Sequence, residues 1–171
     1  LIYTAIVVGL AILVLIAIVL LRTLLLKPTA AKTAKVELDN SARADEYAKT
    51  LAKMVQKETI SDRYDMDRTK FLEFHDLLEE LFPNLHKTCE KHVFDGSLLF
   101  KWPGKGKHEP ILFMSHHDVV EATGEWEHGA FSGDIDAEGN IWGRGTVDTK
   151  ASLFCELTAV EELIKEGYVP E

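Results

Sequence analysis

Residues 111–120 have the sequence Ile-Leu-Phe-Met-Ser-His-His-Asp-Val-Val, a short apolar run that ends in a His-His-Asp triplet. A run of this length after Pro110 predicts a buried strand. Side chains alternate between the two faces of a strand. We therefore expect His116 and Asp118 on one face and His117 on the other.

The spacing of His116 and Asp118 suits a metal site. A ligating imidazole usually donates its second N–H to a carboxylate, which fixes the tautomer of the ring. His116 is therefore a candidate ligand, with Asp118 either behind it or beside it. Asp148 adds a carboxylate where the glycine-rich stretch 143–150 enters a helix. Imidazole and oxygen ligands together favour zinc, cobalt or manganese over calcium, although most His-x-Asp triplets are ordinary surface residues.

Further motifs follow in a fixed order along the chain: Trp-Glu-His at 126–128, Phe-Ser-Gly-Asp-Ile at 131–135, Ile-Trp-Gly-Arg-Gly at 141–145 and Asp-Thr-Lys at 148–150. Together with Ser-His-His-Asp-Val-Val at 115–120, they closely resemble the first half of the catalytic domain of the aminoacylase/carboxypeptidase S family of dizinc metallopeptidases. The resemblance covers roughly residues 51–171. It implies an α/β fold, a zinc-exopeptidase-like sandwich with a mixed central sheet.

The resemblance also implies roles for individual residues. His116 and Asp148 are expected to bind metal, with Asp148 bridging two zinc ions that cobalt or manganese can replace. Asp118 is expected to be a catalytic residue that orients the His116 imidazole. The family has a non-proline cis peptide after its bridging aspartate, which predicts one at Asp148–Thr149. Arg144 and Lys150 are expected to brace the turn.

Two positions depart from the family's usual pattern. Gly129-Ala130 stands where relatives usually have two prolines, and Glu121 stands where a proline often follows the paired valines. Both lie in predicted loops, so they bear on loop geometry more than on metal binding. The family's Glu-Glu pair and its later ligands are not found in these residues, so we expect a fragment that is inactive by itself.

The implied activity is that of a zinc-dependent metallohydrolase. It would cleave a peptide bond, as a carboxypeptidase or dipeptidase does, with water activated by two metals. One alternative is an N-acyl amino acid hydrolase or synthase, and another is a non-catalytic membrane-tethered scaffold of the same fold. The resemblance also implies a homodimer formed through a domain outside these residues.

Residues 1–21 contain no charged side chain and are long enough to cross a bilayer as a helix. The apolar stretch is longer than that of most secretory signal peptides and has no convincing cleavage site, which favours an uncleaved single-pass anchor. Arg22, Lys27, Lys32 and Lys35 follow it and favour a cytoplasmic soluble part. Relatives with such an anchor are lumenal or exported, so both sides of the membrane stay open.

The formal net charge is −9, and beyond residue 27 the chain has 17 basic and 28 acidic residues. Phosphate binding is dominated by Lys and Arg, so this balance excludes nucleic acid as a partner. Two cysteines do not make a disulfide-rich scaffold. The remaining partners are a peptide or N-acyl amino acid substrate and the membrane.

The chain is expected to divide into a transmembrane anchor at 1–26, a polar linker at 27–40 and the N-terminal part of a catalytic domain at 41–171. Apolar periodicity predicts helices from about residue 41 to 55, from 66 to 81 and from 150 to 166, the last stopped by Gly167. Strands are predicted at 97–102 and in a hairpin at 131–143. Residues 103–107 are predicted to turn the chain from strand 97–102 into the run at 111–114.

Overall fold

The computed structural model describes residues 2–26, 42–106 and 108–171. Chain contacts divide it into two units, residues 1–39 and 40–171. The predicted linker at 27–40 lies outside the described residues. The first unit contains helix α1, Ile2–Leu25, in which no residue is buried. By length and composition α1 could cross a membrane, a test that a signal sequence near the N-terminus also passes.

The second unit has four α-helices and one small sheet among its described residues. The helices are α2 (Ala42–Val55), α3 (Thr69–Leu81), α4 (Pro83–Thr88) and α5 (Ala151–Lys165). Strands β1 (Glu90–Phe94) and β2 (Ser97–Lys101) pair antiparallel. These elements confirm a mixed α/β class with a small antiparallel sheet. They also confirm the predicted helices and the strand near 97–102.

The core lies where the apolar faces of the four helices meet. Its members recur at helical spacing on α2, α3 and α5, as expected for amphipathic helices that bury one stripe. The fully buried apolar side chains at its centre are Met54, Val55, Phe74, Leu78, Phe82 and Leu85. Gly167 ends α5 with a positive φ of 77°, and its N–H donates to the carbonyl of Ile164 (3.0 Å). This is the helix stop that the sequence predicted.

The hairpin at residues 90–101 differs from the predicted one. β2 pairs with β1 through a turn at Asp95 and Gly96, whose φ values are 45° and 86°. Two-residue hairpin turns of this kind favour Asp-Gly, because both positions need a positive φ. No described strand follows the turn predicted at 103–107, and residue 107 lies outside the described residues. Instead, the N–H of Lys105 donates to the carbonyl of Pro170 (2.8 Å).

The described residues do not form the buried strand predicted at 111–114. Its four apolar side chains are between 65% and 80% exposed, and no described strand pairs with it. A strand stays in a sheet only if neighbours take up its backbone hydrogen bonds, and none of the described residues does so here. The mixed central sheet is therefore not formed by the described residues. The predicted hairpin at 131–143 is reduced to a single antiparallel bridge between Ile135 and Ile141.

Candidate metal and substrate site

A short parallel pairing fixes the chain just after the His-His-Asp triplet. Ile60 forms a parallel bridge with Val119. The N–H of Val119 donates to the carbonyl of Thr59, and the N–H of Ser61 donates to the carbonyl of Val119, both at 2.9 Å. The Thr59 hydroxyl also donates to the carbonyl of His117 (2.5 Å). This segment attaches the triplet to the end of α2.

The two neighbouring histidines point in opposite directions, as predicted. The ring of His117 packs into the protein against Phe71, Phe74 and His75, with ring centroids 5.4 to 5.6 Å apart. Burial is the main cause that lowers the pKa of His117, to about 4, so this imidazole is neutral at physiological pH. The His116 side chain is 53% exposed and faces the other way.

The structure brings His116 and Asp148 together although they lie 32 residues apart. Nε2 of His116 is 3.0 Å from Oδ1 of Asp148. Nδ1 of His116 is 3.0 Å from the Asp118 carbonyl oxygen and 3.3 Å from Asp118 Oδ1. Oxygen acceptors thus face both ring nitrogens, two at Nδ1 and Asp148 Oδ1 at Nε2, so these contacts do not select a tautomer. A metal ion bound at Nε2 would require the proton of the neutral ring to lie on Nδ1, where the Asp118 oxygens accept it.

Burial by itself would lower the pKa of His116. The hydrogen bonds to the Asp118 carbonyl and the Asp148 carboxylate outweigh it, and the pKa is raised above its usual value. The exposed positions of the three side chains leave the site open to solvent and to ligands: Asp118 is 44% exposed and Asp148 88%.

Asp148 lies in an irregular turn between Gly145 and α5. The turn, Thr146–Lys150, is closed by a bond from the N–H of Lys150 to the Gly145 carbonyl (2.8 Å). Asp148 and Thr149 have non-helical dihedral angles within it. The peptide bond between them is cis, which confirms that prediction.

Lys150 attaches this turn to the C-terminal end of α2. Its side chain is fully buried, and Nζ donates to the carbonyls of Met54 (2.9 Å) and Lys57 (2.6 Å). Nζ also lies 5.2 Å from the ring centroid of Phe74. Burial lowers the pKa of Lys150 to about 8, so the amine is still mostly charged at neutral pH. Lys150 has the bracing position that the sequence suggested.

An open cleft of about 410 Å³ contains the candidate residues. His116, Asp118 and Asp148 line one part, and the side chains of Trp126, Trp142 and Val147 contribute apolar surface. The Arg144 guanidinium lies 4.8 Å from the ring centroid of Trp126, a cation–π distance. The cleft therefore combines a pair of potential metal ligands with an apolar wall.

The two donor atoms fit a shared metal ion as a partial set. Zinc bonds of about 2.0–2.2 Å at tetrahedral angles would place two donors roughly 3.4 Å apart. Nε2 of His116 and Oδ1 of Asp148 are 3.0 Å apart, so a movement of a few tenths of an ångström suffices. Among the described residues, no group of three or more His, Cys, Asp or Glu side chains could hold a metal ion. The metal roles of His116 and Asp148 stay predictions.

Sequence reasoning missed Ser61 and Thr59. The Ser61 hydroxyl donates to Oδ2 of Asp118 (2.6 Å). Residues 58–61 carry no strand pattern long enough to predict this pairing, and only the folded chain brings them beside the triplet. An alignment of the Asp118 and Ser61 positions could have supplied a signal.

Comparison with known proteins places the chain among peptidases. Residues 112–171 match the sequence profile of peptidase family M20/M25/M40. The chain is 39% identical over 134 residues to the probable carboxypeptidase S-like 2 of Dictyostelium discoideum, which covers 74% of this chain and 26% of that protein. It is 39% identical over 107 residues to carboxypeptidase S of Saccharomyces cerevisiae, covering 58% and 19%.

A third relative is named for a different activity. The chain is 32% identical over 167 residues to the N-fatty-acyl-amino acid synthase/hydrolase PM20D1 of Xenopus tropicalis, covering 92% of this chain and 32% of that protein. These matches support assignment of the chain to the aminoacylase/carboxypeptidase S branch of the M20 peptidase family. It spans about a third or less of the length of these relatives.

Proposed function

We propose that the whole protein is a zinc-dependent hydrolase that cleaves a peptide bond, in the manner of a carboxypeptidase or dipeptidase. The observation that carries this proposal is the convergence of His116 Nε2 and Asp148 Oδ1 at 3.0 Å in an open cleft. Similarity to carboxypeptidases supports it, since the chain is 39% identical to two of them over the matched residues.

His116 and Asp148 would hold the metal, and Asp148 would bridge two ions. The metal would supply Lewis-acid polarisation of the scissile carbonyl and a lowered pKa of water. Asp118 would act as a catalytic-site carboxylate by holding the His116 ring with Nε2 turned toward the cleft. The apolar surface of Trp126 and Trp142 would pack against a substrate side chain and exclude water from the bond to be cleaved.

A second candidate activity is hydrolysis or synthesis of N-acyl amino acids. It is favoured by the similarity to the N-fatty-acyl-amino acid synthase/hydrolase, which extends over 92% of this chain. Both reactions make or break an amide C–N bond, so the same cleft residues would serve either. The apolar wall at Trp126, Trp142 and Val147 would accept a fatty acyl chain as well as a peptide side chain.

We also propose the remaining architecture of the whole protein. Four consecutive apolar side chains at 111–114 are exposed, which is unusual on the surface of a folded soluble domain. In the whole protein this run would be a strand of a mixed central sheet in a zinc-exopeptidase-like sandwich. Helix α1 would anchor this catalytic unit to a membrane through an intervening polar linker.

The test is metal content and amide hydrolysis of the whole protein beside its Asp148→Ala variant. We expect about two zinc ions per chain, hydrolysis of dipeptides, and loss of both in Asp148→Ala. An exposed carboxylate outside the cleft, Asp76→Ala, is the matched control and should behave as wild type. Preferential hydrolysis of N-acyl amino acids would favour the second candidate.

Absence of bound metal, or an Asp148→Ala variant with unchanged activity, would overturn the proposal and favour a non-catalytic scaffold. The anchor is tested separately. Mass spectrometry of the mature N-terminus should find α1 retained, and alkaline extraction should leave the protein in the membrane fraction. A mature N-terminus beyond α1 would show a cleaved signal sequence instead.

A further inference from the structure

The carboxylate of Asp118 is held from two sides. Oδ1 lies 3.3 Å from Nδ1 of His116, and Oδ2 accepts a hydrogen bond from the Ser61 hydroxyl at 2.6 Å. Hydrogen bonds from a hydroxyl to a charged oxygen are short and strong for their kind. The serine therefore fixes the rotation of the carboxylate whose other oxygen faces the candidate ligand.

The backbone of Ser61 is held in place by hydrogen bonds to the chain beyond Asp118. Its own N–H donates to the Val119 carbonyl, and Thr59 accepts from the Val119 N–H, so residues on both sides of Ile60 are bonded to the chain just beyond Asp118. The Thr59 side chain is fully buried. Ser61 thus extends from an anchored segment of backbone, which keeps its hydroxyl beside Asp118.

Without this donor, the hydrogen bonding of His116 would change. Nδ1 has two acceptors within reach, the backbone carbonyl of Asp118 at 3.0 Å and the carboxylate at 3.3 Å. The carbonyl is fixed by the backbone, whereas the carboxylate can rotate about its side-chain bonds. A freely rotating carboxylate would spend part of its time away from the imidazole and would orient it less well.

We propose that Ser61 is a positioning residue for the metal site: it fixes Asp118, which in turn orients His116 with Nε2 toward the cleft. The inference rests on the proposed metal-binding function. The bond from Ser61 to Asp118 is solvent-exposed, and exposed hydrogen bonds contribute little to global stability because water replaces them. Its removal should therefore change the site far more than the fold.

The first experiment measures zinc affinity of the whole protein by competition with a chromophoric chelator. Loss of a partner that orients a ligating histidine lowers metal affinity about 10- to 100-fold. Ser61 is one bond further from the metal than Asp118, so we expect Ser61→Ala to weaken zinc binding about 3- to 10-fold. Ser61→Thr keeps the hydroxyl and should restore affinity to within about twofold.

Two comparisons separate positioning from a general structural effect. Ser97→Ala removes an exposed serine hydroxyl from β2, outside the cleft, and should leave zinc affinity unchanged. In an Asp118→Ala background, Ser61→Ala should have no further effect, because residues that act through one another are non-additive. Thermal unfolding midpoints should agree among wild type, Ser61→Ala and Ser97→Ala.

A second experiment needs no metal. In protein labelled with ¹⁵N-histidine and freed of metal, NMR should show faster solvent exchange of the His116 Nδ1 proton in Ser61→Ala than in wild type. Unchanged exchange would overturn the inference, and so would an equal loss of zinc affinity with and without Asp118. A wild-type protein that binds no zinc would refute the proposed function, and the proton exchange would then decide the role of Ser61 by itself.

Discussion

Replacing Lys150 by methionine should destabilise the protein, because this lysine joins the turn that carries Asp148 to the C-terminal end of α2. Its ammonium group donates to two carbonyls, those of Met54 and Lys57, from a fully buried side chain. The methionine side chain has nearly the same length as that of lysine and would fill the same buried space. The change therefore removes the hydrogen-bond donor without creating a large cavity.

The magnitude follows from opposing contributions. Both carbonyls keep a backbone donor, the N–H of Lys57 for Met54 (3.3 Å) and the N–H of Thr59 for Lys57 (2.9 Å). The change therefore removes two hydrogen bonds from a charged group, each worth about 1.5–3 kcal/mol. Removal of the charge returns part of this cost, because burial already disfavours the ammonium form and lowers the pKa of Lys150 to about 8. We expect a net loss of about 2–3 kcal/mol in the free energy of unfolding for Lys150→Met.

The assay is urea denaturation followed by tryptophan fluorescence. Trp102, Trp126 and Trp142 are the tryptophans of this sequence, and all lie in the second unit, so the signal reports on the part that contains Lys150. The matched control is Lys53→Met, which removes an exposed lysine of α2 and should stay within about 0.5 kcal/mol of wild type. If Lys150→Met also stayed within that margin, the reasoning that this amine holds the turn would be wrong.

Three further changes test the fold. Glu161 is buried and accepts backbone N–H groups at the N-terminus of α4. Glu161→Gln should therefore lower the free energy of unfolding, measured by urea denaturation, by about 1–2 kcal/mol. An unchanged free energy of unfolding would mean that the charge of Glu161 is unimportant. Burial lowers the pKa of His75, so the unfolded chain binds more protons below about pH 6.5. Stability should therefore fall as the pH is lowered from there, and it should fall less steeply in His75→Phe; equal pH profiles would contradict this. Gly133→Ala would bring a Cβ within 2.5 Å of the Ala52 carbonyl oxygen and should lower the free energy of unfolding by about 2 kcal/mol or more. Gly139 also has a positive φ, but no atom lies within 4 Å of its Cβ position, so Gly139→Ala should lower the free energy of unfolding by only about 1 kcal/mol. Equal losses in urea denaturation would show that the close approach at Gly133 is not limiting.

The candidate site shows what the sequence could predict. His116 and Asp148 follow apolar or glycine-rich segments that the family's motifs identify, so their types and order could be read from the chain. The opposite directions of His116 and His117 followed from the period of two in an extended segment. The helices α2, α3 and α5 followed from local apolar periodicity, which each stretch carries within itself.

Local sequence did not reveal the pairing of residues 59–61 with 117–119, or the donor that Ser61 gives to Asp118. These contacts join residues that are 57 to 60 positions apart in the sequence, and no local pattern encodes such a separation. The turn at Asp95 and Gly96, by contrast, is encoded locally, since Asp-Gly between apolar residues is a strong hairpin signal.

By itself, the sequence determined the apolar helix of membrane-spanning length, the amphipathic helices and the identity of the candidate metal ligands. Each of these depends on residues that are close together along the chain. Only the tertiary structure decided that His116 Nε2 and Asp148 Oδ1 meet at 3.0 Å and that Lys150 holds the turn between them and α2. It also decided that the apolar run at 111–114 is exposed. Burial and long-range hydrogen bonds depend on which segments lie side by side, and that arrangement is a property of the whole fold.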